Sequence, residues 1–406
     1  MANIGELESK IGDASGKKVV WAREMTAEER LRDEKYMRRC LQLARQGRAG
    51  ARPNPMVGAV VVCGDRIIGE GYHICQGGPH AEVNAIASVK DPGLLPESTI
   101  YVSLEPCSHY GKTPPCADLI ISRRIKRCVV GCLDPFSLVN GQGVSKLLHA
   151  GVEVTVGILE RECLALNRPF VVCHSQGRPY VTLKWAQSQD GMMGLEGEGA
   201  MEQQSEGSDG DGNQRLETGM QAADGYRTRR PVQLSNALTL TLMHRRRALS
   251  DAILVGGGTV LSDNPSLTVR HWVPRGMTGN LPLVLKEEGT NLAGQPLRVV
   301  IDAKGNLPGT LRVFDGEAGH LTWPDWDLPA LMQRLHECKV QTLLVEGGAE
   351  TLRRFLAAGL WDELRVETAP VRIGPSGVPA PSLQGLTPSE VWRAGSHTIA
   401  IYLHED

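Results

Sequence analysis

The chain has 406 residues, long enough for two domains, and 41% of them are apolar, enough for ordinary cores. Lys and Arg number 44 against 46 Asp and Glu, a formal net charge of −2, which argues against a polyanionic partner such as nucleic acid. No apolar run is long enough to span a bilayer and the N-terminus lacks the apolar core of a signal peptide; ten cysteines in that setting point to a reducing, cytoplasmic compartment and to thiols rather than disulfides.

Residues 1–22 are polar, lack sustained periodicity and read as a loose leader. Thr26 and Glu29 form a T-x-x-E capping box. The helix it opens repeats apolar residues at Met37, Leu41 and Ala44, with Cys40 between them and Gly47 placed to close it. V-G-A-V-V-V-C (57–63), the turn Gly64-Asp65 and R-I-I-G-E-G-Y (66–72) read as a hairpin. Pro79-His80 opens a helix running through Val89, with His80 in its first turn and Glu82 close beside it. T-I-Y-V-S-L (99–104) is a buried strand delivering Glu105-Pro106-Cys107, and Cys116 starts the next helix. A strand over 128–132, a helix over 143–150 and a strand over 152–158 complete an α/β layer unit, its sheet covered on both faces. A helical piece from Glu160 to Asn167 and the turn Gly177-Arg178-Pro179 lead out of it, so the domains are drawn at 23–175 and 176–406.

His80, Cys107 and Cys116 are the ligand types that suit Zn²⁺, and three protein ligands leave a fourth tetrahedral position for water, as catalytic sites do. Glu82 stands two residues past the histidine, able to approach that water without ligating the metal. Metal-activated water beside a proton-shuttling carboxylate makes a hydrolytic site. Zinc deaminases carry H-x-E followed by P-C-x-x-C. Here eight residues separate the cysteines instead of two, and S-H-Y-G-K-T-P-P forms the loop this requires. Any one of these residues alone reads as packing; the joint pattern does not. The other eight cysteines read as packing residues.

In the second unit, Y-V-T-L-K-W-A-Q-S-Q-D-G (180–191) is a strand running into a glycine turn. Residues 195–230, rich in Glu, Gly, Gln, Asp and Ser, cannot bury enough surface to offset ordering entropy and read as a disordered insertion. A helix spans 234–250; A-I-L-V-G-G-G-T-V-L-S-D-N-P-S-L-T-V-R (252–270) is a strand, a glycine turn and an extended tail; 271–296 is a second long loop. L-R-V-V-I-D (297–302) is a strand, 343–359 a strand, glycine turn and helix, and 363–370 and 398–404 are closing strands. Glycine turns before helices let a backbone approach a phosphate, but neither V-G-G-G-T nor V-E-G-G-A-E-T-L is a G-x-G-x-x-G fingerprint, so a Rossmann domain is not inferred.

The runs N-P-x-V-G-A-V-V-V, H-A-E-V-N-A and S-L-E-P-C-S-H-Y-G-K-T-P-P-C, with a D-P further on, resemble the deaminase half of the bifunctional riboflavin-biosynthesis enzyme. That family fuses diaminohydroxyphosphoribosylaminopyrimidine deaminase to 5-amino-6-(5-phosphoribosylamino)uracil reductase. L-K-W-A-x-S-x-D-G, then R-R-A-x-x-D-A-I-L-V-G-x-x-T-V-x-x-D-N-P-x-L-T-V-R, then V-E-G-G-x-x-T-L is similar to its reductase half, so the likeness covers about 25–404 apart from the inserted loops. The resemblance implies a cytidine-deaminase-like three-layer α/β/α domain followed by a dihydrofolate-reductase-like α/β domain. It also implies one zinc ion per chain, NADPH, and small phosphorylated pyrimidine substrates. Asn54, His73, His109, Lys112 and Asp134 would face the deaminase substrate; Lys184, Arg247, Leu267, Arg270 and Glu346 the ribosyl phosphate; and Gln187, Thr259, Asp263 and Gly348 the cofactor. The two arginines suit bidentate phosphate recognition, and Lys184 with Glu346 suits proton handling.

Two departures stand out. The insertion and R-P-V-Q-L-S replace a segment with serine and tryptophan that touches substrate and cofactor in the family. The family's D-P-N-P is Asp134-Pro135-Phe136-Ser137. The alternatives are a nucleoside or tRNA zinc deaminase, or an active deaminase with a degenerate reductase half. The sequence does not choose between a monomer and a homo-oligomer.

Overall fold

The structure, a computed structural model, describes residues 19–109, 114–135, 141–195, 233–270, 272 and 295–404. The readings made for residues 1–18, Lys112, Phe136, the insertion beyond Leu195 and most of 271–296 lie outside the described residues. The chain divides into two compact units between Arg178 and Pro179. Among the described residues no helix is long and apolar enough to cross a membrane.

The first unit contains β1 (Val20–Trp21), α1 (Ala27–Ala44), β2 (Gly58–Cys63), β3 (Arg66–Tyr72), α2 (Ala81–Ala87), β4 (Ser98–Val102), α3 (Cys116–Ser122), β5 (Arg127–Val130), α4 (Gln142–His149), β6 (Glu153–Val156), α5 (Glu160–Leu166) and α6 (Arg168–Gln176). Its sheet runs β1-β6-β5-β4-β2-β3. β1, β6, β5 and β4 are mutually parallel and the β2–β3 hairpin is added antiparallel. Side chains alternate across a strand, so β2 sends Val60 and Val62 to one face and Ala59 and Val61 to the other. The first face packs against Tyr36, Met37, Cys40 and Leu41 of α1. The second packs against Ala85 of α2, Ile120 of α3 and Leu147 of α4. This is the three-layer α/β/α arrangement expected. The helices come very close: a Cβ at Gly58 would lie 2.0 Å from the Cys40 carbonyl oxygen, and one at Gly71 2.3 Å from the Ala85 nitrogen. Only glycine fits such approaches.

The capping box forms: Thr26 Oγ1 accepts from the Glu29 N–H at 3.3 Å, and Glu29 Oε2 accepts from the Thr26 N–H at 3.1 Å. Three details differ from expectation. Val20–Trp21, inside the segment read as a loose leader, pairs with β6 as an edge strand. Residues 168–176 form α6, opened by Pro169 near its first position. His80 is the N-cap of α2, not a residue of its first turn.

The second unit contains β7 (Tyr180–Gln187), β8 (Met192–Leu195), α7 (Ala237–Ala248), β9 (Ala252–Gly256), α8 (Gly257–Asp263), β10 (Leu297–Ile301), β11 (His320–Trp323), α9 (Leu328–Glu337), β12 (Thr342–Val345), α10 (Ala349–Ala357), β13 (Glu363–Thr368), β14 (Gly377–Pro379), β15 (Glu390–Ala394) and β16 (His397–Leu403). Its main sheet runs β11-β10-β9-β12-β7-β13-β16-β15. Strands β11 to β13 are parallel along that order, and β16 and β15 close it antiparallel. Leu331, Met332 and Leu335 of α9 and Leu352 and Phe355 of α10 cover one face, and Val260, Leu267 and Val313 the other. Where an extended tail was read after the glycine turn, residues 257–263 form α8 first.

Asp33, with 0% exposure, pins α1 to the sheet. Arg127 Nη1 and Nη2 donate to its two oxygens at 3.1 and 2.5 Å, and the Tyr101 hydroxyl donates at 2.8 Å. Removing one partner strands the other in a buried place, which typically costs about 3–5 kcal/mol. Asp33→Ala is expected to lower the urea midpoint of the full chain by an amount of that order, read by circular dichroism.

Candidate functional site

The zinc-type ligands converge because two helices begin at one place. His80 caps α2, Cys116 is the first residue of α3, and Cys107 lies on the loop leaving β4. Among the described residues, His80, Cys107 and Cys116 are the group of acidic, His and Cys side chains that can share an ion, their ligand atoms all within 4.8 Å of one another. His80 Nδ1 lies 3.4 Å from Cys116 Sγ and 3.6 Å from Cys107 Sγ. A tetrahedral zinc with usual Zn–N and Zn–S bonds places such atoms about 3.5 Å apart, so the triangle has the size the ion needs.

The local electrostatics favour a thiolate. A hydrogen bond from the Cys116 thiol, assisted by the Cys116 backbone N–H at 3.3 Å, holds the Cys107 sulfur well below the usual thiol range, at about 4. The same contact pushes the Cys116 thiol up. The hydrogen bond to Cys107 also raises His80. Glu82 is 3% exposed; burial, followed by the nearby Cys107 charge, pushes its carboxyl up to about 7. A carboxyl of that kind can take and give a proton near neutrality.

Of the other deaminase-side residues, Asn54 and His73 are brought together. His73 is buried, and its Nδ1 lies 3.1 Å from the Pro79 carbonyl oxygen, which can only accept. The proton therefore sits on Nδ1, and Nε2 accepts from the Asn54 amide at 3.1 Å. Burial lowers the His73 pKa, which favours this neutral form. Both ring nitrogens are thus engaged within the protein, behind Asn54. His109 is exposed on the inter-cysteine loop. Asp134 follows β5, its N–H donating to Glu105 Oε2 at 3.2 Å.

In the second unit the candidate residues gather at the carboxyl ends of parallel strands, where open α/β sheets bind ligands. Glu346 follows β12 directly. Arg247 grips it with Nε on Oε1 at 2.9 Å and Nη2 on Oε2 at 2.5 Å, and its Nη1 donates to the Thr268 carbonyl at 3.1 Å. The Arg247 fork, read as a phosphate holder with Arg270, is therefore taken up by Glu346 and the backbone. Arg270 itself is exposed, with its N–H on His244 Nδ1 at 3.1 Å. Leu267 is buried at a φ of 53°, a left-handed bend that turns the chain beneath Thr268. The two glycine turns abut: Gly348 has a φ of 63°, and a Cβ there would lie 2.8 Å from Thr259 Oγ1. Among the described residues no side chain caps the N-terminus of α10, an end of the kind that can meet a phosphate. Gln187 accepts from Trp185 Nε1 at 2.9 Å, and Asp263 is exposed at the end of α8.

Sequence reasoning missed Glu367. It is 2% exposed, accepts from the Ser235 hydroxyl at 2.8 Å, and lies 3.6 Å from Lys184 Nζ. Its Oε1 is buried with no hydrogen-bond partner among the described residues. A carboxylate near the end of the otherwise half-apolar strand E-L-R-V-E-T was the available signal. Because β13 runs beside β7, it faces Lys184.

Comparison with known proteins agrees with this two-site organisation. Residues 30–132 match the cytidine and deoxycytidylate deaminase zinc-binding region, and residues 179–399 match the RibD C-terminal domain. The riboflavin biosynthesis protein RibD of Aquifex aeolicus is 34% identical over 364 residues, covering 84% of this chain and 88% of that protein. A structure of Acinetobacter baumannii RibD superposes with a TM-score of 0.71 at 30% identity, covering 92% of this chain and 99% of that one. The diaminohydroxyphosphoribosylaminopyrimidine deaminase/5-amino-6-(5-phosphoribosylamino)uracil reductase of Thermotoga maritima gives 0.70 at 31% identity over the same shares. With likeness running through both units, the chain belongs to the RibD family of bifunctional riboflavin-biosynthesis enzymes.

Proposed function

We propose that residues 23–175 deaminate 2,5-diamino-6-(5-phosphoribosylamino)pyrimidin-4(3H)-one by hydrolysis. Residues 176–406 then reduce the resulting 5-amino-6-(5-phosphoribosylamino)uracil to its ribitylamino product with NADPH. The observation that carries the reading is the zinc-sized triangle of His80, Cys107 and Cys116 beside buried Glu82.

His80, Cys107 and Cys116 would hold one zinc ion per chain; when bound, the metal supplies the Lewis acidity that activates water at neutral pH. Glu82 accepts a proton from the attacking water and passes it to the departing amine, so ammonia leaves as a neutral molecule. Asn54, His109, Lys112 and Asp134 bind the pyrimidine and its phosphate, and His73 acts through the Asn54 amide it orients. In the second unit Gln187, Thr259, Asp263 and the Gly348 turn hold NADPH, which when bound supplies hydride. Lys184, Leu267, Arg270 and Glu346 receive the ribosyl phosphate, with Arg247 fixing the Glu346 carboxylate. Lys184 donates the proton that the opened sugar's oxygen needs. Ten free cysteines, two of them needed as zinc ligands, support a reducing cytoplasm as the compartment.

Supplying the diaminopyrimidine phosphate without NADPH should give a product in which an amine has been exchanged for oxygen. Adding NADPH should add two hydrogens, both steps read by mass spectrometry. Unchanged substrate in both arms would reject the reading, and cytidine and adenosine should stay intact alongside. Glu82→Gln is expected to lower the deamination kcat by about 10²–10⁴-fold with zinc still bound at one per chain by metal analysis. Lys184→Met should slow NADPH oxidation by at least about 10²-fold while deamination continues at the wild-type rate.

A further inference from the structure

Glu105, two residues before the ligand Cys107, is 4% exposed, and none of the roles above uses it. Both of its oxygens are fully engaged by backbone. Oε1 accepts from the N–H groups of Gly143 and Val144 at 2.8 and 3.2 Å. Oε2 accepts from those of Gly141 and Asp134 at 2.9 and 3.2 Å. The arrangement answers a specific need. Helix α4 starts at Gln142 behind Gly141, a left-handed residue at φ 79° with no side chain to cap it. The first N–H groups of a helix have no partner within it, and a negative charge at that end is favoured. Glu105 provides both from a distant part of the chain.

The fourth donor gives the contact a wider consequence. Asp134 and Gly141 both come after β5 and before α4, and one carboxylate oxygen holds both. The acceptor is itself tied down: the Glu105 N–H donates to the Cys132 carbonyl at 2.9 Å. Packing supports the same junction, because a Cβ at Gly143 would lie 2.0 Å from the Pro106 carbonyl oxygen. The segment Glu105-Pro106-Cys107 therefore carries a metal ligand on one side and Asp134 on the other.

We propose that Glu105 is a positioning residue of the deaminase site: by anchoring Asp134 and Gly141 to the Cys107 segment, it sets where Asp134 meets the substrate. It touches neither metal nor substrate and acts through Asp134, so the proposal rests on the deaminase reading above. Replacing the carboxylate by an amide puts an NH₂ against two of the four backbone donors. The expected effect has the size seen when outer residues that orient a site are lost, about 10–100-fold. It falls on KM, because Asp134 binds substrate and Glu82 is untouched.

The test uses full-length, zinc-loaded Glu105→Gln with the diaminopyrimidine phosphate. KM should rise in that range with kcat near wild type and zinc still at one per chain. Hydrogen exchange at the amides of Asp134, Gly141, Gly143 and Val144 should quicken. Glu105→Gln combined with Asp134→Ala should have the KM of Asp134→Ala alone, since residues acting as a unit are not additive. Gly143→Ala, which keeps the carboxylate but crowds the junction, should reproduce the KM rise. An unchanged KM, unchanged exchange, or effects that multiply in the double variant would overturn the assignment of Glu105. If the wild-type protein leaves the substrate untouched, the deaminase reading itself falls, and the positioning role falls with it.

Discussion

Helix starts are where this protein puts its chemistry, and the reason is electrostatic. The starts of α2 and α3 bring His80 and Cys116 together, and the first N–H of α3 donates to Cys107 Sγ at 3.3 Å, so that sulfur sits where a helix start favours a negative charge. The sheet makes this meeting possible. β2 and β4 are neighbours, glycines at 58 and 71 let helices lie almost on the strands, and the loop after β4 then ends beside both helix starts.

The second unit solves a different problem, that of holding charge at the end of a mostly parallel sheet. Its interior positions are apolar, yet Glu346 follows β12, Glu367 is the penultimate residue of β13, and Lys184 lies on the strand between them, β7. A buried charge is tolerated only when paired or hydrogen-bonded. Arg247 answers Glu346 with both ends of its fork, and Ser235 and Lys184 answer one oxygen of Glu367. Arg298, with 0% exposure, is held through its two Nη groups by the carbonyls of Arg312 and Ala318 and by Asp315. Pairing of this kind keeps polar groups available at a sheet end without collapsing it into a core.

Much of this was legible along the chain. The Thr26–Glu29 cap, the β2–β3 hairpin and the helix beginning at Cys116 depend on residues close in sequence, and each formed as read. What escaped were features decided by distant partners. Val20–Trp21 carries no strand signal of its own and becomes one because β6 has a free edge. The helix at 168–176 follows another so closely that Asn167 ends the first and caps the second, with Asn167 and Pro169 the start signal that sequence reasoning missed. The two partners of His73, the Pro79 carbonyl and the Asn54 amide, were not legible along the chain.

Residue types and their spacing determined a two-domain chain with a zinc-type hydrolytic site, because metal ligands and caps are local demands on the chain, and the resemblance of its motifs implied the reductase half. Only the folded arrangement decided who pairs with whom. Arg247 faces Glu346 from 99 positions away, Lys184 faces Glu367 across two strands, and Glu105 caps a helix that starts beyond the next strand. Those partnerships follow from strand order and burial, since a charge removed from water must find its complement wherever the packing brings one, and sequence neighbours do not say where that is.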